Sequence, residues 1–215
     1  MAYCFIYTVA RDFGFAPNPF HGVCTLATCK PTIRRVAQPG DWVIGMGGKR
    51  LGANGRLIFA MCVAEALTFD EYWADPRFRQ KRPVRNGSRT MMLGDNIYHR
   101  DGRSGEWQQA DSHHSQPDGR PDIHNVSHDT GADRVLIGDK FVYFGNAAPR
   151  VPETVLEALG YKNGRGHRKF SFSDAIPLLH WLHSLYEADF GRVLGDPIEF
   201  ADSAKRYASG TNRLL

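Results

Sequence analysis

The chain has 215 residues, of which 42% are hydrophobic and 23% charged, the proportions of an ordinary globular protein. This length is enough for one domain with a full core, and no apolar run approaches the ~20 residues that span a bilayer. The first nine residues lack the basic segment and cleavage site of a signal peptide. We therefore expect a cytoplasmic protein with no membrane partner and a modest net charge of +4.

The four cysteines, Cys4, Cys24, Cys29 and Cys62, lie in apolar, strand-like stretches. None of them forms a CxxC pair, and the spacing from Cys24 to Cys29 is a poor one for zinc. The sequence therefore predicts buried, reduced thiols with a structural role.

The first half of the chain alternates short strand patterns with turns. Alternating apolar residues predict strands at 2–9 and 23–27, and a third short strand follows Gly40. Residues 30–37 predict a short helix with a proline in its first turn. Residues 56–67 are almost continuously apolar, which is typical of one long central strand.

The middle of the chain contains both strand and helix patterns. Thr68 and Glu71 have the spacing of a capping box, which predicts a helix from Phe69. Residues 134–145 predict one or two buried strands, and a helix that ends at a glycine is expected over 152–159.

The C-terminal part is predicted to be helical and then irregular. A helix is expected over 174–190, with Ser173 as its N-cap. Residues 195–215 carry no clear periodicity, and we expect a loosely ordered tail that packs on the domain. No repeat or linker is present, so the sequence predicts a domain over 1–160 with a C-terminal helical extension, 161–215, packed on it.

One short motif resembles a known class of barrel. Residues 39–43, Pro-Gly-Asp-Trp-Val, precede a glycine-rich turn and a strand that ends in Val63-Ala-Glu65. This arrangement resembles the PUA-like barrels, including the EVE and ASCH branches, which bind nucleic acids and often cradle a flipped or modified base. The resemblance implies an α+β fold, namely a mostly antiparallel PUA-like β-barrel with flanking helices and a long polar insertion over one mouth.

A longer set of motifs spreads over residues 1–160. It comprises Asn18-Pro-Phe, Cys24-Thr-Leu-Ala-Thr-Cys-Lys-Pro, Gly40-Asp-Trp-Val-Ile-Gly and residues 133–145. Together these resemble the nucleotide modification associated domain 2 family, whose members are inferred to work beside DNA base-hypermodification genes in phages and bacteria. The resemblance implies DNA or a nucleotide as a partner, together with other DNA-modification proteins. It carries over no catalytic residue.

The stretch from Asp95 to Gly145 holds five of the nine histidines in a run rich in Asp, Gly, Ser, Asn and Arg. It ends in the predicted buried strands. A polar segment of this length on a rigid base is typical of a functional site. Three kinds of chemistry fit these residues, and the sequence leaves all three open.

The first kind is a metal site. If Asp122 caps a helical turn, His124 and His128 share one face of it, and Asp111 or Asp129 would add a carboxylate. Two histidines and a carboxylate hold the metal in non-haem iron enzymes and in some zinc enzymes. The pattern therefore allows a divalent metal cofactor and indicates no other.

The second kind is acid–base chemistry without a metal. Asp111 with His113, and His128 with Asp129, place an imidazole close to a carboxylate in the sequence. Such pairs accept and return protons near neutral pH. These four are the candidate catalytic residues.

The third kind is recognition of a base. Aromatic rings stack on bases, asparagine reads base edges, and arginine or lysine contacts phosphate. A basic run extends from Arg77 to Arg89 without an acid, and a second basic cluster lies at 165–169. The candidate binding residues are Asn18, Phe20, Trp42, Lys49, Arg82, Arg85, Tyr98, Trp107 and Arg134.

From these patterns we predict nucleic-acid base recognition associated with DNA base modification. The alternative is an enzyme that acts on a free nucleotide or modified base through His and Asp residues of 111–129, with or without a metal. A third class, a scaffold within a modification complex, also fits the composition.

Overall fold

The computed structural model describes residues 2–215 and shows a mixed α+β fold. The strands are β1 (Tyr3–Val9), β2 (Cys24–Leu26), β3 (Trp42–Gly47), β4 (Leu57–Cys62), β5 (Glu65–Leu67), β6 (Tyr98–Arg100), β7 (Trp107–Gln109), β8 (Val135–Gly138), β9 (Phe141–Tyr143), β10 (His167–Ser171), β11 (Arg192–Val193), β12 (Tyr207–Ala208) and β13 (Arg213–Leu214). The α-helices are α1 (Pro31–Val36), α2 (Phe69–Ala74), α3 (Arg89–Met92), α4 (Ile123–Thr130), α5 (Glu153–Leu159) and α6 (Phe172–Tyr186). Short 3-10 helices lie at Lys49–Leu51, Pro76–Lys81, Gly145–Ala147, Glu187–Asp189 and Phe200–Asp202.

Two sheets organise the fold. The larger has six strands in the order β10-β1-β3-β4-β9-β11, with parallel pairing of β1 with β3 and of β9 with β11. The smaller sheet is antiparallel, in the order β2-β8-β5. Neither sheet closes on itself within the described residues. The predicted α+β class is therefore confirmed, whereas the predicted closed barrel is not.

The chain crosses between the two sheets twice at one place. Residues 56–67 are not one strand, as predicted, because β4 ends at Cys62 in the large sheet and β5 belongs to the small sheet. The return crossing follows Gly138, where β8 gives way to β9. A Cβ at Gly138 would clash with the carbonyl oxygen of Cys62, so a glycine is needed where the crossings touch. The apolar run continues through both strands, and its pattern therefore hides the change of sheet.

The buried apolar residues form two hydrophobic cores, and the small sheet contributes to both, with Leu26 and Leu136 in the first and Val135 and Ile137 in the second. The first joins the large sheet to α5 and α6 and includes Phe5, Ile44 and Leu178, all fully buried or nearly so. The second joins the small sheet to α2 and the polar stretch through Phe69 and Ile97. Burial of one such side chain stabilises the folded chain by roughly 1.5–3 kcal/mol. The polar stretch is thus anchored by a core and is not a loop lying over the surface.

The first residues of α2 and α6 test the predicted N-caps. The predicted capping box is confirmed, because Thr68 Oγ1 accepts from the Glu71 amide at 3.2 Å and Glu71 Oε2 accepts from the Thr68 amide at 2.7 Å. The predicted start of α6 at Ser173 is wrong. Ser171 is the N-cap, since its backbone is extended and its Oγ accepts from the Asp174 amide at 3.1 Å.

The C-terminal residues complete the fold. They supply β10 and β11 to the large sheet, and neither strand was predicted. The tail packs on the domain as expected, but through a hairpin of β12 and β13. The Tyr207 amide donates to the His113 carbonyl oxygen at 2.7 Å, which ties this hairpin to the polar stretch. Among the described residues, no helix combines the length and apolarity needed to cross a membrane.

Candidate functional site

Helix α4 presents two different faces. Asp122 caps it as predicted, because Asp122 Oδ1 accepts from the amides of His124 at 2.9 Å and Asn125 at 3.0 Å. Residues four apart share a helix face. His124 and His128 therefore line one cavity together, and the buried Asn125 also contributes to that wall, whereas Asp129 is buried among neighbouring elements.

The buried face places Asp129 in a hydrogen-bonded network. Its Oδ2 accepts from the Tyr98 hydroxyl at 2.9 Å and lies 2.7 Å from His114 Nδ1. Its Oδ1 accepts from the Cys29 amide at 2.7 Å. Burial opposes ionisation of this carboxyl, but the charges of His114 and Arg34 and these hydrogen bonds hold its pKa below the usual range.

His114 connects this carboxylate to a thiol. Burial by itself would lower the pKa of the imidazole, but the charge and hydrogen bond of Asp129 raise the pKa of His114 to about 10. The other ring nitrogen, Nε2, lies 3.9 Å from Cys29 Sγ. Asp129, His114 and Cys29 therefore form a continuous chain of polar contacts.

The turn between β2 and α1 brings Cys29 to this position. Cys29 and Lys30 have φ values of 57° and 41°, in the left-handed region that side-chain-bearing residues rarely adopt. The Cys29 amide is held by Asp129, and its carbonyl oxygen accepts from Arg34 Nε at 2.8 Å. A long-range contact from Asp129 and a local one from Arg34 thus hold both sides of a turn that is unfavourable by itself.

Two adjoining cavities open onto Cys29 and His114. The inner cavity, about 170 Å³, is walled by aromatic rings from the first strand, the loop after it and the tail hairpin. The outer cavity, about 630 Å³, is walled by α1, α4 and the start of β10. Neither wall includes an Asp or Glu among the described residues. The residues common to both walls are Cys29, Lys30, His114 and Tyr207.

Several buried polar atoms at these cavities have no hydrogen-bond partner. In the inner cavity these are the Tyr7 hydroxyl and Arg11 Nη1, and in the outer cavity Asn125 Oδ1. The amide nitrogen of Asn125 is occupied, since it donates to the carbonyl oxygens of His114 at 2.8 Å and Tyr207 at 2.6 Å. More than nine in ten buried polar groups in proteins are paired, so these atoms are unusual, although unpaired buried atoms also occur away from the cavities, as at Nε of Arg82, Arg85 and Arg134.

His113 differs from its neighbour although both are buried. Its Nδ1 donates to the Lys205 carbonyl oxygen at 2.7 Å, and its ring packs 4.6 Å from the centroid of Phe13. Burial, followed by the charge of His114, lowers the pKa of His113 to about 3. His113 is therefore a neutral wall of the inner cavity, whereas His114 is a cation.

A comparison with protein-family models decides the family. The model described as nucleotide modification associated domain 2 matches residues 1–204. This chain belongs to that family. No curated protein and no solved structure matches it. The family domain is associated by its description with nucleotide modification, which confirms the resemblance seen in the sequence.

The Asp and His side chains that meet in this family domain are not the pairs that lie close together in the sequence. Asp129 meets His114 and not its sequence neighbour His128, because consecutive helical residues point in different directions. Asp111 forms an ion pair with Arg206 at the surface and has no contact with the His113 ring. A role for Asp111, His113 or His128 in catalysis stays a prediction.

The predicted base-stacking residues lie away from both cavities. Trp42 is in the first core, and Phe20 packs against Phe200 at a centroid distance of 5.9 Å. Trp107 stacks on Arg100 at 4.0 Å from the ring centroid. Asn18 and Tyr98 are fully buried with their polar atoms bonded inside the protein. Tyr98 does not line either cavity, and its hydroxyl is connected to the site through Asp129 and through Gln109, which also bonds the His114 carbonyl oxygen.

The predicted phosphate-binding cations are mostly occupied by the chain itself. The Arg82 guanidinium lies 3.9 Å from the Trp73 ring centroid and donates to the Trp73 carbonyl oxygen. Arg85 donates to the Met92 carbonyl oxygen at 2.8 Å. Arg134 donates to Gln38 Oε1 at 3.1 Å. Lys49 is exposed at the hairpin tip between β3 and β4 and does not line either cavity.

The predicted metal ligands are divided between two environments. His124 and His128 line the outer cavity, whereas the Asp129 carboxylate bonds to His114, Tyr98 and Cys29 on the opposite face. Within residues 2–215, no three His, Cys, Asp or Glu side chains are arranged to hold a metal ion. The three predicted ligands do not converge because Asp129 follows His128 directly on the helix.

Sequence reasoning missed most of the cavity. Cys29 was interpreted as a structural thiol, and Lys30, Tyr7 and Tyr207 were not proposed as site residues. One signal was available in the sequence. With Asp122 as the N-cap, helical periodicity places His124 and His128 on one face and Asp129 on another. The carboxylate of Asp129 would then need a hydrogen-bond partner from elsewhere in the chain.

Proposed function

We propose that this family domain binds a nucleobase, carried by DNA or by a free nucleotide, in the two joined cavities as part of base modification. The observation that carries the proposal is the combination found there. Aromatic walls, a cationic rim and unpartnered buried polar atoms meet in one place, without a carboxylate in the cavity walls.

The inner cavity suits a planar ring. Tyr7, Phe13, Phe15 and Tyr207 supply aromatic surface, and stacking of a base on such rings is worth about 1–3 kcal/mol. Its volume of about 170 Å³ lies below the range of ~300–1,000 Å³ usual for whole small-molecule ligands, whereas the outer cavity, at about 630 Å³, falls within it. We therefore assign the base to the inner cavity and the sugar and phosphate to the outer one.

The cationic rim suits the phosphate. Lys30 Nζ lies 4.4 Å from the Tyr7 ring centroid, and burial lowers the pKa of Lys30, so an anion nearby would stabilise its charge. Arg11 lies on the inner wall with one guanidinium nitrogen unpartnered. His167, which belongs to the basic cluster 165–169 recognised in the sequence, lines the outer cavity. Such clusters attract phosphate and make binding depend on salt.

The same proposal includes a distant relation to the PUA-like barrels, in an opened form. Its support is the Pro-Gly-Asp-Trp-Val motif, in which Asp41 fixes the start of β3. Asp41 Oδ1 accepts from the Tyr3 amide at 2.7 Å, and Oδ2 accepts from the Gln38 amide at 2.8 Å.

A titration of three variants tests the proposed function. Tyr7→Phe keeps the aromatic ring and removes a buried hydroxyl without a partner, so we expect unchanged or higher stability together with weaker binding. Lys30→Ala should weaken binding about 10-fold or more, the value of a charged hydrogen bond, and should reduce the salt dependence. Binding of deoxynucleoside monophosphates is measured by calorimetry, and that of single-stranded oligonucleotides by fluorescence anisotropy.

Arg82→Ala is the matched control for Lys30→Ala, because Arg82 is a cation held by Trp73 away from the cavities. It should leave affinity unchanged. Affinity lost with Arg82→Ala and kept with Lys30→Ala would move the ligand to the 77–89 surface. The absence of any nucleotide or oligonucleotide binding at low salt would overturn the proposed function.

A further inference from the structure

The contact of Cys29 with His114 is not needed to bind a base. The four cysteines of the chain are all free thiols, but their surroundings differ. Cys24 is fully buried, and burial raises its pKa to about 12, so it is an inert core residue. Cys29 instead is half-buried and forms part of the wall of both cavities, at the point where they join.

The imidazole beside Cys29 is held in the orientation that proton transfer requires. One nitrogen of His114 lies 2.7 Å from Asp129, so the other is aimed at Sγ, 3.9 Å away. A nucleophile, a base in reach of it and a third group that orients the base are the parts of a covalent catalytic site. Contacts in unliganded sites of this kind are often longer than in the reacting complex.

The backbone conformation at Cys29 also supports a functional role for its thiol. Two successive residues, Cys29 and Lys30, have backbones in the left-handed region, which side-chain-bearing residues adopt only where the surrounding structure holds them. Hydrogen bonds from the Cys29 amide to Asp129 and from Arg34 to the Cys29 carbonyl oxygen maintain the turn. The same carboxylate therefore positions both the thiol-bearing turn and the imidazole.

We propose that Cys29 is a catalytic nucleophile that adds to C6 of a pyrimidine base, with His114 as its proton carrier and Asp129 as a positioning residue. This inference rests on the proposed function, because it takes the base in the inner cavity as its substrate. A pyrimidine is chosen because the inner cavity has space for one ring and because the ring offers a polarised C5=C6 double bond to a soft nucleophile.

The step is balanced without a further reactant. The attacking form of Cys29 is the thiolate, whose sulfur electron pair forms the S–C6 bond, while the imidazolium of His114 holds a proton on Nε2. The electrons of the C5=C6 bond move to C5 and are delocalised onto the conjugated C4 carbonyl of uracil or the C4=N3 bond of cytosine. The imidazolium of His114 then gives its Nε2 proton to C5, so the net change is addition of the thiolate and one proton across the double bond, and the neutral Nε2 is left to accept a C5 hydrogen on reversal. Reversal with loss of the other C5 hydrogen regenerates the base and exchanges that hydrogen with solvent.

Exchange at C5 is the measurement that tests this inference. Deoxycytidine monophosphate, deoxyuridine monophosphate and a pyrimidine single-stranded oligonucleotide are incubated with the full chain in D₂O, and the C5 proton is followed by NMR. We expect the wild-type chain to exchange it, and the free nucleotides and the oligonucleotide distinguish the two sources of the base. Cys29→Ser should abolish the exchange, and His114→Gln should slow it about 10²–10⁴-fold.

Cys62→Ser is the matched control, since Cys62 is also a free, partly exposed thiol but lies outside both cavities. It should exchange at the wild-type rate. For Asp129, the readout is the pH profile of iodoacetamide alkylation at Cys29, followed by peptide mass spectrometry. Asp129→Asn should change this profile and leave that of Cys62 unchanged, which a loss of stability alone would not do.

The outcomes separate the two proposals. Nucleotide binding by both the wild type and Cys29→Ser, with exchange only in the wild type, supports the nucleophile. Binding by both without exchange, or exchange that survives Cys29→Ser, overturns it and leaves the proposed function standing. The absence of binding in every arm overturns the proposed function itself.

Discussion

Two buried carboxylates, Asp95 and Asp129, lie in the same polar stretch and both accept several hydrogen bonds, but their networks end differently. Asp95 accepts from the Thr25 hydroxyl at 2.7 Å and from the Tyr72 hydroxyl at 2.9 Å. Neither donor lines a cavity. Burial raises the pKa of Asp95 and outweighs the charge of Lys81 and the hydrogen bonds from Thr25 and Tyr72, which lower it.

A buried lysine completes the closed network. Lys81 Nζ donates to Asn18 Oδ1 at 2.9 Å and to the carbonyl oxygens of Asn18 and Val23 at 3.0 and 2.9 Å. Burial lowers the pKa of Lys81 to about 8, against the opposing charge of Asp95. All of its donors are used inside the protein. We interpret the role of this network as structural, because it joins β2, α2 and the polar stretch by hydrogen bonds.

The network of Asp129 is equally well bonded but opens onto the cavities through His114 and Cys29. Its carboxylate is held ionised by an imidazolium. Burial and hydrogen-bond number alone therefore do not identify a functional carboxylate. What distinguishes the network of Asp129 is that its last two residues, His114 and Cys29, line the cavities.

The largest expected effect comes from removing each carboxylate in turn. Asp129→Ala should lower the free energy of unfolding by about 3–5 kcal/mol, because a buried imidazolium and Arg34 lose their counter-charge. Asp95→Ala should lower it by about 1–3 kcal/mol, because two hydroxyls lose an acceptor. Urea unfolding gives both values. Cys29 alkylation should change only in Asp129→Ala, and an equal change in both variants would contradict the distinction.

A second, smaller effect is the pH dependence contributed by His113 and His114. The pKa of His113 falls to about 3 in the folded state from 6.5, so its stabilisation is complete above pH 6.5 and lost as pH falls toward 3. The pKa of His114 rises to about 10 from 6.5, so its stabilisation is complete below pH 6.5 and lost as pH rises toward 10.

Replacing His113 or His114 by Gln should therefore flatten the curve of unfolding free energy against pH, and the two variants should act on opposite sides of neutral pH. The slope removed is about 1.4 kcal/mol per pH unit for one proton. His113→Gln acts on the acid limb and His114→Gln on the alkaline limb, and urea unfolding between pH 4.5 and 9 measures both. If both variants flattened the same limb, the two histidines would not carry opposite charge states.

The smallest expected effect concerns the cap of α4. Asp122→Ala removes the acceptor for two amides and should cost about 1 kcal/mol of stability. Because α4 carries His124 and Asn125 into the outer cavity, nucleotide binding should also weaken. Thr68→Ala, which removes the cap of α2, should cost a similar amount and leave binding unchanged. Equal nucleotide affinity of Asp122→Ala and Thr68→Ala would contradict a contribution of α4 to the binding site.

The sequence by itself determined what depends on near neighbours along the chain. The caps at Thr68 and Asp122, the glycine end of α5 and the strands β1, β2, β3, β8 and β9 follow from local spacing, because these signals act within one turn or one strand. The α+β class and the family followed from the same short motifs.

Only the tertiary structure decided which side chains meet at the cavities. The Cys29 amide and the Asp129 carboxylate are 100 positions apart, and Tyr207 comes from a tail without recognisable periodicity. The sequence places Asp129 beside His128, whereas the turn of the helix and the packing of two sheets place it against His114. Contacts of this range depend on how elements pack, and one chain's local pattern contains no record of that packing.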